Sequence, residues 1–286
     1  MRITSLIENT SLSGLPVEHG LSLYIERSDG IRMLFDMGQS ALFAENASRM
    51  QLSVSHVDVA IISHGHYDHG GGLRRFLELN SHARVYIHRE AFQPHYSLRE
   101  NGLRHIGLDE SLRHDSQIVL CDDLTTLDSH ATLFANVQGH CCHPVGNRLL
   151  FKASSTTHAH VSSTPSAYDV IHDDFRHEQN LIIEEDGKTV LFAGCAHRGI
   201  VNIMQQAQEV LGHAPTHVLA GMHLVKSGLD EQAEDAFIAQ LAQHLMQYRS
   251  TQFYTMHCTG TSQFNKLHTI MGAQMKYLSC GDAISI

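Results

Sequence analysis

The stretch that most constrains this chain is residues 57–73, VDVAIISHGHYDHGGGL. Val57, Val59, Ile61 and Ile62 form a short apolar run, and three glycines close the segment, so the spacing predicts a buried strand that ends in a tight loop. On that loop stand His64, His66, Asp68 and His69. Imidazole nitrogens and a carboxylate are donors that a borderline cation such as zinc accepts, and four within six residues converge only if the backbone turns sharply. The glycines at 70–72 are read as permitting that turn. His64 and His66 are placed to face one cation, Asp68 and His69 a second, and two cations roughly 3.5–4 Å apart would clamp and activate one water.

The chain holds 24 histidines, so clustered histidine alone carries little weight. Context gives the motif its meaning. A strand, then HxHxDH, then a glycine run and an apolar helix with Leu73, Phe76 and Leu77 is a far rarer conjunction than histidines on a surface loop.

With 286 residues, 42% of them hydrophobic, the chain can bury a sizeable core as one globular unit spanning residues 1–286. Its formal charge is −10 and no basic block stands out, which disfavours non-specific nucleic-acid binding. No signal-like start and no bilayer-length apolar run is present, so the expectation is a soluble cytoplasmic protein with a small-molecule substrate and no membrane partner, homodimer formation being left open. Cysteines at 121, 141, 142, 195, 258 and 280 are too irregular for a disulfide framework and read as reduced thiols.

Taken in order, residues 2–7 read as an edge strand, 21–27 and 31–36 as a hairpin about Ser28-Asp29-Gly30, 41–50 as a helix, 73–79 as a helix and 84–88 as a strand. From about 100 to 175 the periodicity breaks down, which reads as an irregular insertion shaping the pocket wall and carrying little of the fold. It returns in a hairpin over 181–185 and 188–193, a strand-to-helix loop GCAHRG at 194–199, and strands over 216–220, 252–256 and 275–278 separated by helices. The periodicities alone give an α/β protein with a mixed sheet.

HGHYDH resembles the HxHxDH signature of the metallo-β-lactamase superfamily, and the set GHYDHGGGL, GCAHRGIVNI, GMHL and HCTG looks like its subgroup of dihydropterin ribofuranosyl-aminobenzene phosphate synthase-like proteins. The resemblance covers most of the chain outside residues 100–175. It implies an α/β (α+β) fold, a four-layer αβ/βα sandwich of mixed sheets with metals at one edge. It also implies His64, His66, Asp68, His69 and the late histidine His257 as ligands, with Asp36 orienting the metal loop from behind. Where many members carry a bridging aspartate this chain has Cys195, which is either a thiolate ligand or a small buried residue.

His197 is a further ligand candidate by type and loop position. The family's usual third histidine falls near His177-Glu178, and either of these stays open as a ligand, Glu178 also as a supporting residue. His223 is read as supporting the ligands or facing substrate, and Arg198 and Lys226 are the nearest basic candidates for a phosphate.

Function follows as an expectation. Two divalent ions, zinc foremost with iron and manganese as alternatives, would serve a metal-dependent hydrolase acting on a small ester, lactone, thioester or phosphoester. Asp68 would orient the nucleophile and pass a proton to the leaving group. The alternatives are a transferase joining a dihydropterin to an aminobenzene ribose phosphate, and a non-catalytic metal-binding or signalling protein.

Overall fold

A computed structural model describes residues 1–154, 169–225 and 227–286. Two seven-stranded sheets dominate it. The first runs, in spatial order, Ala283–Ser285, Arg2–Ile7, Ser22–Glu26, Arg32–Phe35, Val59–Ile62, Arg84–His88 and Ile118–Cys121. The second runs Met275–Tyr277, Gln252–Thr255, His217–Ala220, Lys188–Ala193, Gln179–Glu185, Ala131–Ala135 and Leu124–Thr126. In each sheet a run of four strands is parallel, Arg32–Phe35 through Ile118–Cys121 in the first and Lys188–Ala193 through Met275–Tyr277 in the second.

The strands are apolar on both faces because both faces are covered. In Lys188–Ala193, Val190 and Phe192 point to a core shared with the first sheet, while Leu191 and Ala193 point to the helices outside. Val59–Ile62 alternates likewise, with Ile61 inward and Ala60 and Ile62 outward. Phe35 and Phe192 meet across the two sheets with ring centroids 5.9 Å apart. Helices α1 (Leu42–Arg49), α2 (Tyr67–Gly70) and α3 (Leu73–Leu79) belong to the first sheet's side, where Phe43, Leu73 and Phe76 fill an outer core. On the second sheet's outer face α4 (Ile200–Leu211), α5 (Glu231–Leu245) and α6 (Thr261–Met271) contribute Ile203, Met204, Leu241 and Leu267. The order of layers is helix, sheet, sheet, helix, the α+β four-layer sandwich with mixed sheets.

Three expectations need correction. Residues 2–7 are not an edge, because Ala283–Ser285 pairs with Arg2–Ile7 and covers it; that three-residue strand is too short to show a period. The described residues of 100–175 are not an irregular insertion. They supply Ile118–Cys121 to the first sheet, Leu124–Thr126 and Ala131–Ala135 to the second, and part of a four-stranded third sheet of order Val170–His172, Leu150–Ala153, His95–Arg99, Gly102–His105. These strands are short and many of their side chains are only half-buried, so the apolar alternation that marks a strand is weak.

The glycines after the motif have a different reason from the one the sequence suggests. Gly71 and Gly72 have ordinary helical φ of −64° and −76°, but a Cβ on either would lie 2.4 Å from a carbonyl oxygen, of Gln39 and Met37 respectively. They let the chain after strand Arg32–Phe35 press against the metal loop.

Phe134 lies in the stretch first read as dispensable, yet it is buried between the second sheet and its helices. Phe134→Ala is expected to lower unfolding free energy by about 3–5 kcal/mol in urea titration; a loss near zero would return the segment to a peripheral role.

Candidate metal centre

Parallel strands finish at the same edge of their sheet, which is where open α/β sheets carry their sites. Strand Arg32–Phe35 runs into Asp36, Val59–Ile62 into Ser63 and His64, Lys188–Ala193 into Gly194 and Cys195, His217–Ala220 toward His223, and Gln252–Thr255 toward His257. Asp36, Ala196, His223 and His257 hold positive φ of 62°, 53°, 46° and 51°. Such conformations cost a non-glycine residue about 1–2 kcal/mol each, and here they turn the chain sharply where each strand stops.

Behind the metal loop lies the fully buried carboxylate of Asp36. It accepts the Ser63 N–H at 2.7 Å, the Ser63 hydroxyl at 2.7 Å and the His69 Nδ1–H at 2.6 Å. Ser63 Oγ in turn accepts from His64 Nδ1 at 2.9 Å. The same pattern recurs at a distance: Asn147 Oδ1 takes His197 Nδ1 at 2.9 Å and Asn9 Oδ1 takes His257 Nδ1 at 2.9 Å. Both amides are fixed in orientation, since Asn147 Nδ2 donates to His197 O and Asn9 Oδ1 also receives Gly20 N–H. In four histidines the proton is thus committed to Nδ1 and the lone pair falls on Nε2, the arrangement that supporting residues impose on metal-binding imidazoles.

Those lone pairs converge. Donor atoms of His64, Cys195 and His197 lie within 4.8 Å of one another, and so do those of His69, Cys195 and His257. Cys195 is common to both groups. His64, His66 and His197 each have a buried Nε2 with no hydrogen-bond partner among the described residues. His69 Nε2 lies 3.2 Å from His257 Nε2 and 3.1 Å from Cys195 Sγ, and Asp68 Oδ2 is 3.5 Å from His257 Nε2. Two facing lone pairs at that distance repel unless a cation lies between them, and bonds of about 2.0–2.3 Å at a tetrahedral angle separate ligand atoms by about 3.3–3.6 Å. The donor set fits divalent metal.

Electrostatics agree with the geometry at His64, His66 and His197; at His69 burial opposes charge, but the Asp36 carboxylate outweighs it and raises the pKa. Burial, reinforced by the neighbouring histidines, holds His64, His66 and His197 well below the ordinary imidazole pKa, so they stay neutral and able to coordinate. Burial opposes charge on Asp68 as well, but hydrogen bonds from His19 and His257 hold its carboxyl well below the usual range. Burial also pushes the Cys195 thiol well up, so a thiolate there depends on a cation's charge.

A profile of the metallo-beta-lactamase superfamily matches residues 15–207. The chain belongs to the metallo-β-lactamase superfamily. It is similar to an uncharacterized protein of Methanocaldococcus jannaschii, 26% identical over 275 residues, covering 93% of each chain. It is also similar to the 7,8-dihydropterin-6-methyl-4-(beta-D-ribofuranosyl)-aminobenzene-5'-phosphate synthase of that organism, 25% identical over 257 residues, covering 85% of this chain and 81% of the relative. The crystal structure of Tm1679, a metal-dependent hydrolase of the beta-lactamase superfamily, superposes with a TM-score of 0.78 at 27% identity, over 100% of this chain and 99% of that one. The metallo-β-lactamase fold implies binding of divalent metal, and the converging donors lie at the edge where the parallel strands end.

Of the residues named from the sequence, Glu178 and Arg198 stand apart from the donors, while His177 lies beside His66 but is engaged in hydrogen bonds. Glu178 is fully buried and accepts the backbone N–H groups of His197 at 2.6 Å and Arg198 at 2.9 Å, so it shapes the loop that carries Cys195 and His197. His177 accepts Gly65 N–H on Nδ1 at 2.9 Å, which puts its proton on Nε2, and this contacts Asp173 Oδ2 at 3.1 Å. With no free lone pair it is part of a hydrogen-bonded support under the metal loop, together with His95, whose Nδ1 meets the same oxygen at 3.1 Å. Arg198 is the clear correction: its guanidinium donates to Val137 O and Asp174 O, away from the pocket, so it is no phosphate ligand. Lys226 lies outside the described residues.

Sequence reasoning missed Asn9, His19, Ser63 and Asn147. Asn9 meets a histidine 248 positions away, and nothing local marks it. His19 Nε2 lies 3.2 Å from Asp68 Oδ2 with its side chain half exposed. A cavity of about 220 Å³ opens over the donors, bordered by His19, Asp68, Cys195, His197, His223 and His257 and walled by Tyr67, Ile106, Leu149 and Leu150, with Arg99 on its lining.

Asp36→Asn keeps the shape and tolerance for positive φ but removes the charge that orients His69 and Ser63. Metal affinity is expected to fall about 10–100-fold with the fold retained, read by chelator competition and melting. Unchanged affinity would strip Asp36 of its orienting role.

Burial pushes the Glu178 carboxyl from an ordinary 4.5 up to about 7, and its two backbone donors pull against this. A raised folded pKa means that the native state holds more proton between those values. The contribution is therefore fully present below about pH 4.5 and lost as pH rises through about 7. Glu178→Gln abolishes that titration. The stability of wild type relative to the variant is expected to fall by about 3 kcal/mol from about pH 4 to pH 8 in urea melts of metal-free protein. A pH-independent difference would contradict the assignment.

Proposed function

We propose that this protein is a hydrolase that holds two divalent cations and acts on a small anionic ester, lactone, thioester or phosphoester. One observation carries the reading: the donor atoms of His64, Cys195 and His197 lie within 4.8 Å of one another, as do those of His69, Cys195 and His257, and the pocket opens on Cys195, His197 and His257 together with His66 and Asp68. His64, His66 and His197 would hold one ion, Asp68, His69 and His257 the other, and Cys195 would stand between them where a carboxylate is commoner. Imidazoles with one thiolate suit zinc better than a harder ion. When bound, the pair supplies Lewis acidity that lowers the pKa of a water and polarises the substrate's oxygen.

The chain's own residues do the rest. Asp68 stays ionised and is aimed into the pocket, so it can take a proton from the attacking water and return it to the leaving group. His19 holds that carboxylate from the solvent side. Tyr67, Ile106, Leu149 and Leu150 give the substrate an apolar wall and exclude water. Arg99 replaces Arg198 as the cation able to meet a negative substrate, in a chain whose net charge is −10. Its six free thiols suit a reducing compartment, and the cytoplasm is part of this proposal. Among the described residues no helix is long and apolar enough to cross a membrane.

The relative named as a dihydropterin ribofuranosyl-aminobenzene phosphate synthase favours a second reading, in which the same donors and Arg99 serve a transferase joining a pterin to an aminobenzene ribose phosphate. The two readings separate by product.

Metal-loaded protein should hydrolyse at least one class in a panel of phosphodiesters, lactones and thioesters, and His66→Ala should abolish this while keeping the fold. No turnover of any class by fully loaded wild type, or equal turnover by the variant, sinks the hydrolase reading. Arg99→Ala is expected to raise KM for the anionic substrate about 10-fold or more, the size of one charged hydrogen bond, with little change in kcat. An unchanged KM would remove Arg99 from recognition.

A further inference from the structure

Away from the pocket, the loop after strand Ala131–Ala135 carries adjacent cysteines that the reaction does not use. Cys141 Sγ lies 3.8 Å from Cys142 Sγ and 3.4 Å from Nε2 of His244, in the last turn of α5. All three donor atoms fall within 4.8 Å of one another, and all three residues are half-buried. Two Zn–S bonds of about 2.3 Å at a tetrahedral angle put sulfurs about 3.8 Å apart, and one Zn–S with one Zn–N bond puts sulfur and nitrogen about 3.5 Å apart. The two observed separations match both edges.

The cluster is also held in place before any ion arrives. Asn202, buried on α4, accepts Cys141 N–H on Oδ1 at 3.0 Å and donates from Nδ2 to Cys141 O at 3.0 Å, a two-point clamp on the backbone. Cys142 takes a positive φ of 48°, which sets it apart from the backbone direction of Cys141 and leaves both sulfurs on the side of His244. Partial exposure leaves a path for an ion from solvent.

We propose that Cys141, Cys142 and His244 form a second metal site, for a thiophilic d¹⁰ cation of the zinc class with solvent completing its shell. On loading, each thiol loses its proton to solvent as its sulfur bonds the ion, and no electron is transferred. The ion would tie the 139–144 loop, which Asn202 already clamps to α4, to the C-terminal turn of α5. It reaches the centre at the pocket only indirectly, because Asn202 Nδ2 also donates to Arg198 O at 2.7 Å, next to His197.

The test uses the full chain, kept reduced and anaerobic, equilibrated with Cd²⁺ alone and freed of unbound ion before elemental analysis. Wild type is expected to retain one equivalent more than Cys141→Ser/Cys142→Ser. His244→Ala is expected to surrender that equivalent at a chelator concentration at which wild type keeps it. Equal Cd²⁺ content in wild type and the folded double variant overturns the proposal, as does equal retention by His244→Ala. Should the double variant fail to fold, wild type alone decides: alkylation of the peptide containing residues 141 and 142, followed by mass spectrometry, is expected to slow at least 10-fold in Cd²⁺. Equal alkylation rates with and without the ion overturn the site.

Discussion

The buried carboxylate of Asp36 is the interaction on which the rest of the centre depends. Removing an ionised group from water costs several kcal/mol unless hydrogen bonds replace the lost solvent, and here three donors do so: Ser63 N–H, Ser63 Oγ–H and His69 Nδ1–H. One residue thereby fixes His69 directly and His64 through Ser63, one histidine from each of the two donor groups. The positive φ of Asp36 is part of the same arrangement, since it swings the side chain back under the loop as the strand ends. The glycines at 71 and 72 allow the two loops to approach closely enough for this to happen.

The second half of the centre is positioned by comparable means on the other sheet. Glu178, at the start of strand Gln179–Glu185, holds two consecutive backbone N–H groups of the loop bearing Cys195 and His197. Asn147 and Asn9 orient His197 and His257. Each support comes from a different part of the chain, and each leaves the ring's lone pair on Nε2. Turns with positive φ at Ala196 and His257 place strain where the strands stop, and the surrounding hydrogen bonds offset it. Neutral histidines beside an ionised Asp68 follow from burial on one side and histidine partners on the other.

Cys195 stands where the resemblance to the superfamily implies a bridging aspartate. If it holds metal as proposed, a thiolate would offer one softer donor atom where a carboxylate offers two harder ones, a difference that favours zinc over manganese. Its Sγ lies 3.1 Å from His69 Nε2 and is shared by the two donor groups.

The local pattern of the sequence determined the motif strand and its loop, both hairpins, and which histidine, aspartate and cysteine side chains are candidate donors, because period, turn chemistry and ligand type are properties of neighbouring residues. It did not show the strands between 100 and 175, whose short, half-exposed runs lack a legible alternation, nor the closing strand Ala283–Ser285, whose partner is at the other end of the chain. Nor did it separate Glu178 from the donors or Arg198 from the pocket, since a carboxylate or a guanidinium beside a ligand in sequence can face either way. Tertiary structure alone decided which nitrogen of each histidine is bare, because that follows from acceptors such as Asn9 and Asn147, 248 and 50 residues away from the rings they orient.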